Sequence, residues 1–479
     1  MMKPRSSQRG PWTATTGGVG LVGALLLAAP TLAYGQSAQE SLEDEAVQRV
    51  MEYLRIDTTN PPGNESRGVD FFAEIFEAEG IEYETAESAP GRGNIWARLE
   101  GGDEPALILI HHIDVVPADE RYWTKDALSG ELADGFIYGR GALDTKAGGI
   151  LHLQTFLSLH RSDRPLNRDV IFMATADEEA GGFFGAGWLV ENRPEIFEDV
   201  GFLLNEGGGG ADMGGRVEFS VEVTQKVPFW FRLHARGEPG HGSRPLPESS
   251  VTRLVRALDN LREHPFEPRI IPAVDQYFKG LSENAAPEWA GHFRDIASAV
   301  QDPAVLGRLQ AELPGLHTLT RNTCSMTVLE GSNKINVVPP EATAELDCRL
   351  LPDQDPDAFK AELTAVLDDP SIEIEQIMGF SPAVSSTDTP LFESIKTVAT
   401  THFPEASVLP MVQGGFTDSH FFRDLGIVSY GFFPTVIPVS DQGGVHGNDE
   451  RISEENVRRG TRMMLEIVET FVVSRSASQ

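Results

Sequence analysis

Three short, almost wholly apolar runs constrain the fold of this chain more than any other feature. They are ALILI (106–110), DVIFMAT (169–175) and GFLLN (201–205). Runs of this length and composition are typical of strands that are buried on both faces of a parallel sheet. The segments between them, 147–160 and 185–197, have the pattern of crossover helices. The sequence therefore predicts an α/β domain that is built on a mostly parallel sheet.

A second pattern follows this domain. Residues 217–237 alternate between apolar and polar side chains, which is typical of a half-exposed antiparallel strand. An amphipathic helix and further strands come next, so we predict a smaller α+β domain over 217–378 with a helical insertion at about 265–320. The α/β pattern returns in 379–479, so the smaller domain interrupts a larger one whose first part is 40–216. A chain of 479 residues is long enough for two domains.

The N-terminal residues differ in composition from the rest of the chain. A basic start is followed by a short apolar run and then by small residues: Lys3, Arg5 and Arg9, then 20–30, then Ala33 and Gly35. This order predicts a secretory signal peptide at 1–35, and an uncleaved N-terminal anchor is the alternative. The protein is then secreted or periplasmic, with no membrane contact after the signal is removed, since no later apolar run is long enough to span a bilayer.

Side chains that can bind metals follow each of the three apolar runs. They are His112 and Asp114, then Glu178 and Glu179, then Glu206. Ligands of open α/β sheets bind outside the carboxyl ends of the strands, so these groups are expected at one edge of the sheet. Asp144 and His446 are expected near the same edge. Taken singly, such residues are often helix caps, solvated turns or loop residues. A dense cluster of carboxylates needs cations, so together they favour a metal site.

Five motifs in this order resemble the dinuclear zinc exopeptidases. That family includes glutamate carboxypeptidase, succinyl-diaminopimelate desuccinylase, acetylornithine deacetylase and aminoacylase. The motifs are HHIDVVP (111–117), YGRGALDTKAGG (138–149), ADEEAGG (176–182), NEGG (205–208) and GGVHGNDE (443–450). The resemblance covers about 45–475. It implies an α/β catalytic domain with a mostly parallel sheet, interrupted by a smaller α+β lid domain.

The resemblance also implies a set of metal ligands. His112, Asp144 and Glu206 would hold one divalent ion, and Asp144 would bridge to a second ion that Glu179 and His446 hold. Imidazole and carboxylate ligands suit zinc, with cobalt or manganese as substitutes. Residues i and i+2 of a strand share a face, so Asp114 is expected to orient His112, whereas His111 points the other way and is not a ligand.

Further roles come from the same resemblance. Glu178 is left without a metal, and as general base it would take a proton from the attacking water and pass it to the leaving amine. His241 would donate to the oxyanion, and Arg349 would receive a substrate carboxylate, with a surface ion pair as the alternative for this arginine. The other residues expected to contact substrate are Asn336, Gly414, Gly415 and Thr417.

These expectations describe a two-metal amidohydrolase. It would cleave an amide whose amine side is an amino acid with a free carboxylate, either a C-terminal peptide bond or an N-acyl amino acid. An aminopeptidase or dipeptidase with the same metals, and an inactive metal-bound binding protein, are the alternatives. The partner is then a small molecule or short peptide, and a net charge of −33 argues against nucleic acid. A homodimer through the lid is expected, and a monomer is the alternative if the insertion covers that surface.

The two cysteines are placed symmetrically around a predicted hairpin. Cys324 and Cys348 are equally distant from residue 336, so they face each other if 322–331 and 342–352 pair as antiparallel strands. A cross-strand disulfide and two buried thiols are both open. Arg349 is the next residue and points to the opposite face of the sheet.

Overall fold

A computed structural model describes residues 29–162, 164–438, 441 and 444–474, with side chains from residue 39. The chain divides into two compact units, 1–41 and 42–479. Most of the expected signal peptide, residues 1–28, lies outside the described residues. Within the described part, no helix is both long and apolar enough to cross a bilayer.

Fourteen α-helices are found in the described part of the chain. They are α1 (Ala29–Leu54), α2 (Ser66–Glu79), α3 (Lys146–His160), α4 (Ala186–Asn192), α5 (Ser250–Glu263), α6 (Pro272–Leu281), α7 (Pro287–Arg294), α8 (Ile296–Ala299), α9 (Pro303–Glu312), α10 (Pro314–Thr318), α11 (Pro356–Leu367), α12 (Pro390–His402), α13 (Ser419–Asp424) and α14 (Glu454–Val472). Several begin at side-chain caps, as α14 does where the Ser453 side chain accepts from the N–H of Asn456.

The strands are β1 (Tyr83–Ala89), β2 (Arg92–Leu99), β3 (Glu104–His112), β4 (Glu131–Ala133), β5 (Phe136–Tyr138), β6 (Arg168–Thr175), β7 (Val200–Asn205), β8 (Gly209–Asp212), β9 (Val217–Gln225), β10 (Val227–Arg236), β11 (Gly240–His241), β12 (Thr323–Glu330), β13 (Val337–Val338), β14 (Glu341–Leu350), β15 (Glu373–Gly379), β16 (Ser407–Gln413), β17 (Val428–Gly431), β18 (Val436–Pro438) and β19 (Arg451–Ser453).

A ten-stranded, mostly parallel sheet is the centre of the fold. Its order is β1-β2-β6-β3-β7-β17-β9-β8-β18, and β16 pairs with β9. The three apolar runs are β3, β6 and β7, which are neighbours and run parallel. Along β3, Leu107 and Leu109 pack into the core beneath α3 and α14, whereas Ile108 and Ile110 pack into the core beneath α4 and α13. The sheet is therefore buried on both faces, as the sequence predicts.

A four-stranded antiparallel sheet is the centre of the inserted α+β region. Its order is β12-β14-β10-β15, and α5 and α11 cover one face. Helices α6 to α10 lie between α5 and β12, in the segment where a helical insertion is predicted, and they contribute most of a separate core around Phe278 and Trp289.

One predicted strand is two strands. Residues 217–237 divide at Lys226 into β9, which belongs to the large sheet, and β10, which belongs to the small one. The alternating polar residues of β9 indicated a solvated face, but Glu218, Glu222 and Thr224 are buried, and Glu222 accepts a hydrogen bond from Arg423 at 2.6 Å. Both faces of β9 can be buried because the ion pair with Arg423 neutralises the buried charge of Glu222.

The cysteines lie opposite each other and form a disulfide. Cys324 pairs with Cys348 in the register of β12 and β14, as the symmetric spacing predicts. Cys348 is buried in the core that α5 and α11 cover. Since the two cysteines are bonded to each other, neither is a free thiol.

Candidate active site

The predicted metal ligands meet at one edge of the large sheet. β3 ends at His112, the turn after β6 carries Glu179, and Glu206 follows β7 directly. Asp144 precedes α3, and His446 lies in the loop before β19. Neighbouring parallel strands end at the same edge, which is why residues far apart in the chain converge here.

Two groups of three possible ligands share one carboxylate. In the first group, His112 Nε2 lies 3.0 Å from Asp144 Oδ1 and 3.5 Å from Glu206 Oε1. In the second, His446 Nε2 lies 3.0 Å from Asp144 Oδ2 and 3.2 Å from Glu179 Oε2. Asp144 thus presents one oxygen to each group, which is the arrangement of a carboxylate that bridges two ions.

The chemistry of these donors fits two divalent cations. Glu179 Oε1 is buried and has no hydrogen-bond partner among the described residues. Burial and the nearby Asp144 carboxylate raise the pKa of Glu206 to about 7, and hydrogen bonds to Asp144 and Glu179 raise the pKa of His446 to about 10. Each group combines one imidazole with carboxylates, a donor set that zinc accepts. The side chains are thus crowded with negative charge that cations would neutralise.

Glu178 lies beside these groups but belongs to neither. It is buried, and its pKa is well above the usual value because burial and the negative charges of Glu206, Asp418 and Glu179 all disfavour its ionised form. A carboxyl group that is held next to a cation site without being needed as a ligand is suited to move a proton.

Asp114 supports the turn that carries both glutamates. Its Oδ1 accepts from the N–H of Glu178 at 3.1 Å, and its Oδ2 accepts from the N–H of Glu179 at 3.2 Å. The contact that orients His112 comes instead from the main chain, since His112 Nδ1 lies 2.9 Å from the carbonyl oxygen of Asp114 and 3.5 Å from the nearest carboxylate oxygen. His111 points away into the apolar core, next to Phe72.

The sequence did not indicate the residues that hold Asp114. Asn60 donates to Asp114 Oδ2 at 2.8 Å, and Arg92 donates to Asn60 Oδ1 at 3.0 Å. Arg92 also pairs with the buried Glu65 at 2.6 Å and with Asp177 at 3.2 Å. Asn60 precedes a Pro-Pro-Gly turn, which the sequence alone presents only as a loop signal.

Glu450 was also missed, and it supports the shared ligand. Its Oε1 accepts from the N–H of Asp144 at 3.1 Å and from the N–H of Leu143 at 2.7 Å. Arg140 neutralises the same carboxylate through a buried contact of 2.5 Å. Both residues lie within motifs that the sequence singled out, Arg140 in 138–149 and Glu450 in 443–450, so their place in those motifs was the available signal.

His241 and Asn336 lie together on the ribbon that β11 and β13 form. His241 pairs with Val337, and both His241 and Asn336 are exposed. The N–H of Ser243 donates to His241 Nδ1 at 3.2 Å, so in the neutral imidazole the proton is on Nε2. That nitrogen can therefore donate a hydrogen bond. Among the described residues, neither His241 nor Asn336 makes a hydrogen bond or ion pair with the candidate metal ligands.

Arg349 is not free, because its guanidinium pairs with Asp347. Nε donates to Asp347 Oδ1 at 2.7 Å, and Nη2 donates to Oδ2 at 3.2 Å. Trp230 donates to the same carboxylate at 2.8 Å. Nη1 is buried and lacks a partner in the described part of the chain, so one side of the guanidinium remains available.

The remaining predicted residues follow β16. Gly414 and Gly415 are exposed, and a Cβ atom at either position would meet no atom within 4 Å. Thr417 is buried, and its N–H donates to Gln225 Oε1 at 3.0 Å. Gln225 therefore connects this segment to the end of β9.

Comparison with known proteins agrees with this geometry. Residues 108–470 match "Peptidase family M20/M25/M40". The chain is 29% identical over 411 residues to an N-fatty-acyl-amino acid synthase/hydrolase of Xenopus tropicalis, which covers 83% of this chain and 78% of the relative. It is 27% identical to human aminoacylase-1, covering 87% of this chain and 93% of the relative.

Solved structures share the fold. An M20 family metallo-carboxypeptidase from Sulfolobus solfataricus superposes with a TM-score of 0.68 at 19% identity, covering 89% of this chain and 99% of that one. A dinuclear metal-binding M20 peptidase from Bacillus subtilis superposes with a TM-score of 0.57 at 11% identity, covering 91% and 100%.

Proposed function

Since this chain belongs to peptidase family M20/M25/M40, whose members hydrolyse amide bonds with bound metals, we propose that its substrate is an amide of an amino acid with a free carboxylate. An N-acyl amino acid is the favoured case, and a C-terminal peptide bond is the second. The two relatives of the preceding comparison support the first, since one is an N-fatty-acyl-amino acid synthase/hydrolase and the other an aminoacylase.

One observation carries the proposal. Two ligand groups share Asp144, and a buried carboxyl group that neither of them uses, Glu178, lies beside them. A binding protein has no need of such a group, whereas amide hydrolysis needs a proton to be moved from water to the leaving amine.

In the proposed mechanism the chain positions the reacting groups. His112, Asp144 and Glu206 would hold one ion, and Asp144, Glu179 and His446 would hold the other, with zinc as the favoured metal. When bound, the two ions lower the pKa of water and polarise the amide carbonyl. Glu178 takes the proton of the attacking water at its carboxylate and returns it to the amine as the bond to the acyl carbon breaks.

The inserted region contributes the polar contacts to substrate. We propose that it acts as a lid that brings His241 Nε2 to the oxyanion and Arg349 to the substrate carboxylate. Asp347 holds the guanidinium of Arg349 in place, and the unpartnered Nη1 is the donor left for the substrate. Asn336, Gly414, Gly415 and Thr417 would line the remainder of the site.

An exposed apolar surface at the β12 edge of the small sheet supports a homodimer. β12 is an edge strand, and Leu329 on β12 and Val255 on α5 are 63% and 52% exposed. Ile335, in the adjacent loop, is fully exposed. The insertion does not cover these side chains, and an exposed apolar edge strand is a typical pairing surface.

We also propose export, from the signal-peptide pattern of residues 1–35.

The proposal is tested by measuring metal content and hydrolysis together. The purified chain, loaded with zinc, is assayed for release of free amino acid from three kinds of substrate. They are N-acyl amino acids, peptides with a free C-terminal carboxylate, and aminoacyl amides with a free N-terminal amine. We expect two ions per chain and release from substrates with a free carboxylate. Activity confined to substrates with a free amine would favour a dipeptidase or aminopeptidase, and metal binding without any release would favour a binding protein.

A further inference from the structure

A groove begins at the metal ligands and leads away from them. Three segments that carry or adjoin ligands line its near end: Leu143 with Asp144, Glu206 with Gly207, and Val445, which precedes His446. The cavity has a volume of about 520 Å³, which is within the range of sites that hold a whole small molecule.

Part of the groove wall comes from the helical insertion. Tyr277 and Leu281 of α6 and Leu316 of α10 line it, together with Met411 and Ile437 of the large sheet. Each of the three insertion residues is partly buried, because one side packs on the core of the insertion. Their other side is thus available to an apolar ligand.

The charges in the groove exclude one end of the substrate. None of the described residues that line it is Lys or Arg, and the acidic side chains there are Asp144, Glu206 and Glu218. Glu218 is buried and accepts a hydrogen bond from Asn284 at 3.2 Å. Asp144 and Glu206 would be neutralised by the ions that they are proposed to hold, but Glu218, near Tyr277, has no Lys or Arg beside it among the described residues that line the groove. A carboxylate on the Tyr277 side of the groove would therefore face negative charge, which is unfavourable.

We propose that this groove binds the acyl chain of the substrate and that the preferred chain is a long aliphatic one. The inference rests on the proposed function, since it assumes an N-acyl amino acid. The amino-acid carboxylate must then bind elsewhere, where a guanidinium is available, and the groove is left for the other side of the amide. Its apolar wall of insertion residues makes the length of that chain the main determinant of specificity.

The test is a chain-length series on the zinc-loaded enzyme. N-acyl phenylalanines from acetyl to dodecanoyl are compared below their micellar concentrations. We expect kcat/KM to rise about fourfold for each added methylene until the groove is filled, which is the ratio that burial of one methylene gives. A second series holds the acyl group at acetyl and varies the amino acid, and there we expect a weaker dependence on side-chain length.

Variants connect the effect to the groove. The double variant Leu281→Asn/Leu316→Asn should flatten the chain-length profile, losing far more on the dodecanoyl than on the acetyl substrate. Val305→Asn is the matched control, because Val305 packs on the same core of the insertion but does not line the groove. It should keep the slope of the wild-type profile.

The outcomes separate the inference from the proposed function. A flat or falling profile in the wild type, with the acetyl substrate still hydrolysed, overturns the inference alone. The inference is also overturned if the rate depends on the amino-acid side chain and not on the acyl chain. It is overturned as well if Val305→Asn flattens the chain-length profile as much as the double variant does. Failure to hydrolyse any N-acyl amino acid overturns the proposed function.

Discussion

Asp114 Oδ1 accepts a hydrogen bond from the main-chain N–H of Glu178 at 3.1 Å. A side chain that follows β3 thus fixes the turn that follows the neighbouring strand β6. The other oxygen of Asp114 holds Glu179 in the same way, at 3.2 Å. One carboxylate therefore sets the position of the proposed base and of a proposed metal ligand at once.

The first prediction concerns this carboxylate. Asp114→Asn keeps the size of the side chain but replaces an acceptor oxygen with an NH₂ group, which cannot accept from an N–H group. We expect kcat/KM to fall by about 10- to 100-fold, the usual effect of removing a residue that orients metal ligands. The control is Asp103→Asn, since Asp103 is exposed just before β3. Activity within twofold of the wild type would show that the turn holds its position without Asp114.

The second prediction separates two adjacent glutamates. Glu178→Gln should retain both metals and lose about 10²- to 10⁴-fold in kcat, because a positioned base contributes that much. Glu179→Gln should lose metal, because Glu179 completes the second ligand group. Metal per chain and kcat are measured on both variants. If Glu178→Gln turns over at the wild-type rate, Glu178 is not the base.

The large sheet and its ligand edge were predictable because they depend on local patterns. Runs such as 106–110 are too apolar for an exposed strand, and the residues after each run are the ones that parallel strands bring together. The pairing of Cys324 with Cys348 was predictable for a similar reason, since the spacing around one hairpin fixes the register.

Other features depend on contacts between distant segments. Nothing near Glu222 in the sequence shows that Arg423 will neutralise it, so β9 resembled a solvated strand. Likewise Asn60 and Arg92 gain their role only when Asp114 is brought next to them. Motif order identified the candidate metal ligands, but the residues that support those candidates required the folded chain.

The third prediction concerns substrate polarity. Arg349→Ala should raise KM by about 10- to 100-fold for substrates with a free carboxylate, since a hydrogen bond to a charged group is lost. Arg232→Ala is the control, because Arg232 lies in the same sheet and pairs with Glu345 on its surface. Amidated substrates should be poor for the wild type and unaffected by the Arg349 change. Equal rates on acid and amide in the wild type would remove Arg349 from this role.

The fourth prediction concerns assembly. The protein should have the mass of a dimer at micromolar concentration, and Leu329→Arg should convert it to a monomer because a charge on the apolar edge opposes pairing. Leu132→Arg is the control, since Leu132 is a partly exposed leucine of β4, outside the small sheet. Light scattering after size exclusion gives the mass. A monomeric wild type contradicts the proposed dimer.

The fifth prediction concerns the residue at which the chain passes from the large sheet to the small one. Lys226 is buried, and its Nζ donates to the carbonyl oxygens of Thr318, at 3.0 Å, and Arg321. Burial and the nearby charge of Arg349 lower the pKa of Lys226 to about 7, whereas the pKa of an unfolded lysine is about 10.4.

The sign of the pH dependence follows from these two values. Between about pH 7 and 10.4 the unfolded chain binds one more proton at Lys226 than the folded chain does, so the free energy of unfolding rises with pH, by at most about 1.4 kcal/mol per pH unit from this group. Lys226→Met removes that contribution. The measurement is urea unfolding in the presence of a chelator at pH 7, 8 and 9. As pH rises, the free energy of unfolding of the wild type should increase relative to that of Lys226→Met. The control is Lys279→Met, at an exposed lysine that pairs with Asp275, and it should follow the wild-type profile. Parallel profiles for wild type and Lys226→Met would mean that Lys226 keeps its ordinary pKa in the folded chain.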